Sequence, residues 1–195
     1  MSKQLTRNDL YSLEEYAGKR DEFRSRVMEH KKNRKVHLGD HVTLYFEDRL
    51  TIQYQIQEML RIEKVFEPEG IEDELNVYNP LIPDGGNLKA TFMVEYPDVE
   101  ERKRELARLV GIEDKVWVRI DGFDPVYAIA DEDLERDTGD KTSSVHFLRF
   151  DFDEKMCKAA KDGADLSIGV EHPNYTEALD PLPGNIRATL VADFA

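Results

Sequence analysis

Two histidines and two glutamates stand at positions where side-chain chemistry is conceivable. His146 falls inside SSVHFLRFD (143–151), on the same strand face as Leu148 and Phe150, so its ring is at least half buried and needs a hydrogen-bond partner. His172 sits where DLSIGVE (165–171) ends against Pro173, and site residues gather where strands meet loops. If those strands are neighbours, both rings point into one cleft. Glu47 or Glu58 would then complete a set of imidazole and carboxylate ligands suited to non-haem iron or zinc. The competing reading makes each histidine structural, bonded to backbone or to a carboxylate. Metal ligation needs three converging groups, so convergence decides between the two.

Other spacings carry less. His37 and His41 form an HxxxH pair, but Gly39 and the strand pattern after it argue against a helix, so they are expected to be loop histidines. Glu58 and Glu63, five apart, project about 140° from one another on a helix and cannot share a metal through it. They are equally suited to ion pairs, Glu58 with Arg61 or Arg49. Glu-x-x-His pairs of the di-iron bundle type are absent. Cys157 is the single cysteine; in DEKMCKAAKDG lysines flank it on an expected surface helix, where they would lower its pKa, but no second thiol is present to resolve an oxidised one. The glycines of PDGGN and PLPGN match turns and not phosphate-binding loops, and GxSxG is missing.

The elements that must position these residues follow from periodicity. Thr6 with Asp9 predicts a capped helix near 7–17, and Asp21 a second helix carrying Phe23 and Val27. Val42, Leu44 and Phe46 alternate as a strand. The segment 49–65 reads either way, but its length and the helix formers QEMLRIEK favour a central helix capped by Asp48. A short helix near 69–77 precedes the loop NPLIPDGGN. Beyond it strands are expected at 88–95, 115–120, 125–130, 143–151, 165–171 and 186–193, with helices at 98–109 and 153–161. The fold class is therefore α+β, a helical N-terminal part packed on a predominantly antiparallel β-sheet. The parts are 1–82, mainly helical with one short strand, and 83–195, β-rich, forming one cooperative unit.

Composition narrows function. The 195 residues are 40% hydrophobic, enough for a core, and carry a net charge of -14. That sign opposes binding to nucleic acid or anionic membrane. The charge is uneven: residues 1–50 hold 11 Lys and Arg against 9 Asp and Glu, whereas residues 51–195 hold 16 against 32. The basic run HKKNRKVH (30–37) can meet an acidic partner, or the acidic remainder of its own fold. The lone cysteine, the absence of a long apolar run and a start without a signal-peptide core are read as cytoplasmic.

The segments HLGDHVTLYFEDRLTIQYQIQEMLRIEKVFEPEGI, YNPLIPDGGNLKATFMVEYPD, SSVHFLRF and GVEHPNY resemble a bacterial family of uncharacterised proteins of about this length. The resemblance spans nearly the whole chain. It implies genes beside rubrerythrin and an iron–sulfur oxidoreductase similar to heterodisulfide reductase subunits, and hence a setting in redox or peroxide metabolism; it supplies no catalytic residues. The leading expectation is a non-catalytic accessory protein that binds a rubrerythrin or iron–sulfur partner. The alternatives are a metal-dependent enzyme or iron-handling protein using iron or zinc at His146, His172, Glu47 or Glu58, and a small-ligand-binding protein with Gln53, Tyr54 and Gln57 lining a pocket between helix and sheet.

Overall fold

A computed structural model of the chain describes residues 4–134, 136 and 138–195. The N-terminal layer is helical. Thr6 and Asp9 cap a single 3₁₀ turn, Arg7–Asp9, and Ser12 with Glu15 then forms the capping box of α1, Leu13–Lys31. The two helices expected here are thus one long helix: Gly18 lies exposed within it, and the ~1 kcal/mol that a mid-helix glycine costs is outweighed by burying Tyr16, Phe23 and Val27 on either side.

Strands β1 (Lys35–Leu38) and β2 (Val42–Phe46) follow, then α2 (Arg49–Glu63). Asp48 caps α2 by accepting from Leu50 N at 3.0 Å and Thr51 N at 2.9 Å. Ile52, Ile56 and Leu60 bury one face of α2 with Leu5, Leu75 and Ile82. Helix α3, Pro68–Tyr78, completes the layer.

The remaining elements are β3 (Asn87–Val94), α4 (Val99–Arg108), β4 (Val116–Ile120), β5 (Val126–Tyr127), β6 (Ile129–Ala130), β7 (Val145–Asp151), α5 (Glu154–Lys161), β8 (Leu166–His172), β9 (Tyr175–Leu179) and α6 (Gly184–Val191). They build two antiparallel sheets, ordered β1-β2-β3-β7-β6 and β5-β4-β8-β9. Alternation turns Leu44, Ala90, Phe92, Leu148 and Phe150 of the first sheet inward with Val116, Val118, Ile168 and Val170 of the second, all in one core. Because β2 pairs with β3 from Val42↔Val94 to Phe46↔Ala90, the first sheet draws strands from both sides of residue 82.

Two expectations for the C-terminal part change. Residues 125–130 are not one strand in one sheet: 126–127 pair with β4, and after Ala128 residues 129–130 pair with β7. IRATLVAD is helix α6 and not a strand, since Ile186 and Leu190 reach the core from a helical turn while Arg187 donates to Ala160 O and Ala164 O. The polar YTEAL, unremarked in the sequence, is the edge strand β9. On the outer face of the second sheet Trp117 lies against Gly169, where a Cβ would come within 2.4 Å of the indole.

The layers are joined by Arg34, 2% exposed. Its guanidinium donates to Phe46 O (2.9 Å), Glu47 O (3.1 Å), Thr189 O (3.2 Å) and the Asp193 carboxylate (2.5 Å). Arg34→Met leaves these acceptors without their donor and is expected to cost about 3 kcal/mol or more in urea unfolding; Arg34→Lys should recover little of it.

Candidate functional site

His146 is fully buried on β7, opposite Phe92 of β3. Its Nδ1 lies 2.6 Å from Asp131 Oδ2, and its Nε2 lies 2.8 Å from Thr142 Oγ1 and 3.1 Å from Ser143 O. A carboxylate can only accept, so Asp131 Oδ2 accepts from Nδ1. The Thr142 hydroxyl donates to Glu113 Oε2 at 3.1 Å, itself 3.7 Å from the ring. Asp131 adopts φ 50°, a left-handed conformation that Asp tolerates better than most residues, and this turns its second oxygen to Phe147 N (3.1 Å) and Arg136 (3.0 Å). A cleft of about 680 Å³ opens outside, lined by Gly111, Glu113, Asp114, Asp131 and Arg136 among others. The imidazole does not line it. In this setting His146 anchors the segment after β6.

His172, on the other sheet, donates from Nε2 to Val110 O at 3.1 Å and accepts from Asn174 N at Nδ1, 3.2 Å. The two histidines therefore hold one short segment, Val110–Glu113, from opposite sheets. Glu47, at the β2–α2 junction, accepts from Thr51 Oγ1 (2.5 Å) and Thr91 Oγ1 (2.8 Å). Glu58, on α2, binds Arg20 through both oxygens at 2.8 Å and accepts from Tyr16 OH at 2.7 Å. The four residues do not share a cleft, because β7 and β8 lie in different sheets and the glutamates belong to the α2 region. Among the described residues no group of three or more His, Cys, Asp and Glu is placed to hold a metal ion.

The remaining residues that the sequence singles out are engaged within the fold. Gln53 donates to Asp9 O at 2.6 Å, and Gln57 accepts from Tyr11 N at 2.6 Å, so both pin the N-terminal segment where a ligand pocket had been expected. Tyr54 packs on Phe23. His37 is part of β1 and not of a loop, with Nδ1 3.1 Å from Thr43 Oγ1, while His41 stacks on Tyr96 at 4.0 Å. Cys157 is buried, and burial pushes its thiol pKa up, opposite to the lowering expected from its lysines.

A second concave surface was not anticipated. A groove of about 580 Å³ runs between the α3 end and the outer face of the first sheet, walled by Val77, Tyr78, Pro80 and Leu81, with Lys89, Phe147 and Arg149 among the residues opposite. The signal for it was present: in SSVHFLRF apolar Val145 and Phe147 occupy the face opposite to His146, Leu148 and Phe150, so the strand is apolar on both sides.

Two measurements check the buried networks. His146→Leu removes the ring that Asp131 Oδ2 and Thr142 Oγ1 face, while Asp131 keeps Phe147 N and Arg136 and Glu113 keeps the Thr142 hydroxyl, with an expected loss of about 2 kcal/mol in urea unfolding; adding Asp131→Asn should recover part of it. The Glu58 carboxyl is held down to about 2 from the usual 4.5, first by Arg20 and further by Tyr16 and Arg61, against the opposing effect of burial. Since the folded value is the lower one, this stabilisation is complete above about pH 4.5 and is lost as pH falls toward 2. Glu58→Gln should be less stable than the native chain at neutral pH, with the gap closing across that window; a gap independent of pH would refute the assignment.

Comparison with known proteins agrees with this architecture. No curated protein matches the chain. A crystal structure of a novel protein of unknown function from Burkholderia pseudomallei K96243 superposes with a TM-score of 0.93 at 53% sequence identity, covering 98% of this chain and 100% of that one. Residues 4–194 match the family described as protein of unknown function DUF3501. With nearly its whole length matched, the chain belongs to the DUF3501 family.

Proposed function

We propose that this protein is a non-catalytic, cytoplasmic accessory of a bacterial redox or peroxide-stress system, and that it works by docking an iron–sulfur or rubrerythrin-type partner. The observation that carries the reading is the apolar groove beside α3, on a chain in which 35% of residues are charged. Val77, 66% exposed, is continuous there with Tyr78, Pro80 and Leu81, and a contiguous apolar surface of this kind is what interaction sites present. The redox setting is supported by the sequence resemblance, with its implied neighbourhood of rubrerythrin and a heterodisulfide-reductase-like oxidoreductase. No helix is long and apolar enough to cross a membrane among the described residues, which is compatible with action beside such partners.

The test is calorimetric titration of the purified chain with each purified partner, rubrerythrin and the iron–sulfur oxidoreductase, in oxidised and reduced forms. A saturable complex with at least one, with a dissociation constant in the micromolar range or tighter, is expected. Absence of binding to both in both redox states would overturn the reading. So would near-stoichiometric iron or zinc in untagged protein that disappears in His146→Ala and His172→Ala.

A further inference from the structure

We infer that the groove between α3 and the outer face of the first sheet seats an apolar, acidic segment of the partner, with a partner carboxylate on Lys89. This rests on the docking reading and adds where the partner sits and what chemistry it presents. The walls supply the apolar half: Val77, Pro80 and Leu81 on one side and the Phe147 ring on the other, with the Arg136 guanidinium 4.7 Å above that ring. Beyond the groove, Leu134 is 64% exposed, and its carbonyl accepts from Arg136 at 3.1 Å. An open groove with exposed Val77 in its wall and exposed Leu134 next in sequence to the lining residue Asp133 suits a chain segment better than an enclosed small molecule.

Lys89 supplies the charge. It lies directly opposite Arg149 in the β3–β7 register, an unfavourable pairing of like charges. Arg149 is satisfied by Glu132 and Asp151, and Arg136 by Asp131 and Asp133. Lys89 donates only to Pro80 O, with no carboxylate of a described residue within ion-pair distance. It is part-buried, and burial is the first cause of a pKa below the ordinary lysine value. A carboxylate arriving with an apolar segment would restore the charge-assisted bond that this ammonium lacks. The carboxylates that line the groove, Glu132 and Asp133, are each engaged by an arginine, Arg149 and Arg136, and repulsion from groups farther than about 8 Å is screened at physiological salt.

The test has two arms. In the first, isotopically labelled protein is titrated with a synthetic amphipathic peptide of Leu and Glu, about 15 residues long so that a helix can form, and with its Leu and Lys counterpart. The expected result is saturable amide shifts at Val77, Leu81, Lys89 and Phe147, with the Glu peptide about tenfold tighter. Lys89→Gln should remove that preference, and Val77→Asp should abolish binding, both at unchanged melting temperature. Shifts elsewhere, equal affinity for the two peptides, or octanoate binding the groove as tightly as the Glu peptide would overturn the inference. In the second arm the two variants are titrated with whichever partner binds the native chain. Weaker binding supports the groove, and unchanged binding removes the groove while leaving the docking reading in place. A groove that takes the Glu peptide although neither partner binds removes the docking reading and leaves the site.

Discussion

The constraint on which the rest of the structure depends is the burial of one positive charge, that of Arg34. A guanidinium taken out of water is tolerable only if its donors are nearly all used, and here they gather the last residue of β2, the residue after it, a carbonyl of α6 and the Asp193 carboxylate just beyond α6. Asp48 Oδ2 lies 3.5 Å from the same guanidinium and 2.5 Å from His30 Nε2. Asp48 also caps α2, so the direction in which α2 leaves the sheet is set at the same point. Helix α3 packs on α2, and α3 forms one wall of the groove, so the groove's geometry is inherited from Arg34. Lysine could not replace it, having three donors on one nitrogen where the site needs a planar fork.

The same logic explains the glutamates, glutamines and histidines that made this sequence look like a metal or ligand site. Burying Glu58, Gln57, Glu47 and His146 is costly unless each finds a partner, and each finds one in a neighbouring element: α1, the N-terminal segment, β3, or the segment after β6. These groups specify which surfaces meet. Each of these buried polar groups thereby links two elements of the fold.

Local features were legible because their physics is local. Asp48 as a cap, the helix it starts, and the alternation in β2, β3, β7 and β8 depend on residues a few positions apart. What escaped the sequence depends on distant partners. IRATLVAD alternates as a strand would, but no sheet edge receives it; the core receives Ile186 and Leu190 from a helix. Residues 126–130 look like one strand because VYAIA has strand-forming side chains throughout, and only pairing with β4 and then β7 shows that they turn a corner between sheets. Whether His146 and His172 meet depends on strand order, which periodicity does not encode; their sharing of the Val110–Glu113 segment follows from a connection between sheets.

Closure of those corners also decides how a partner can be recognised. Strand addition needs an open edge with free backbone groups. At one corner the chain crosses from sheet to sheet within residues 126–130, leaving β5 and β6 only two residues each. At the other, the Tyr175 hydroxyl donates to Leu38 O at 2.6 Å and accepts from His41 N at 3.2 Å, tying β9 to the β1–β2 turn. Gly39 makes that approach possible: its φ is 66°, and a Cβ there would come within 2.6 Å of the same hydroxyl oxygen. With one edge short and the other tied, recognition falls to side chains on faces. On the outer face of the first sheet the apolar Phe147 and Lys89, whose ammonium donates to Pro80 O, lie against the α3 wall, the face that the proposed docking uses.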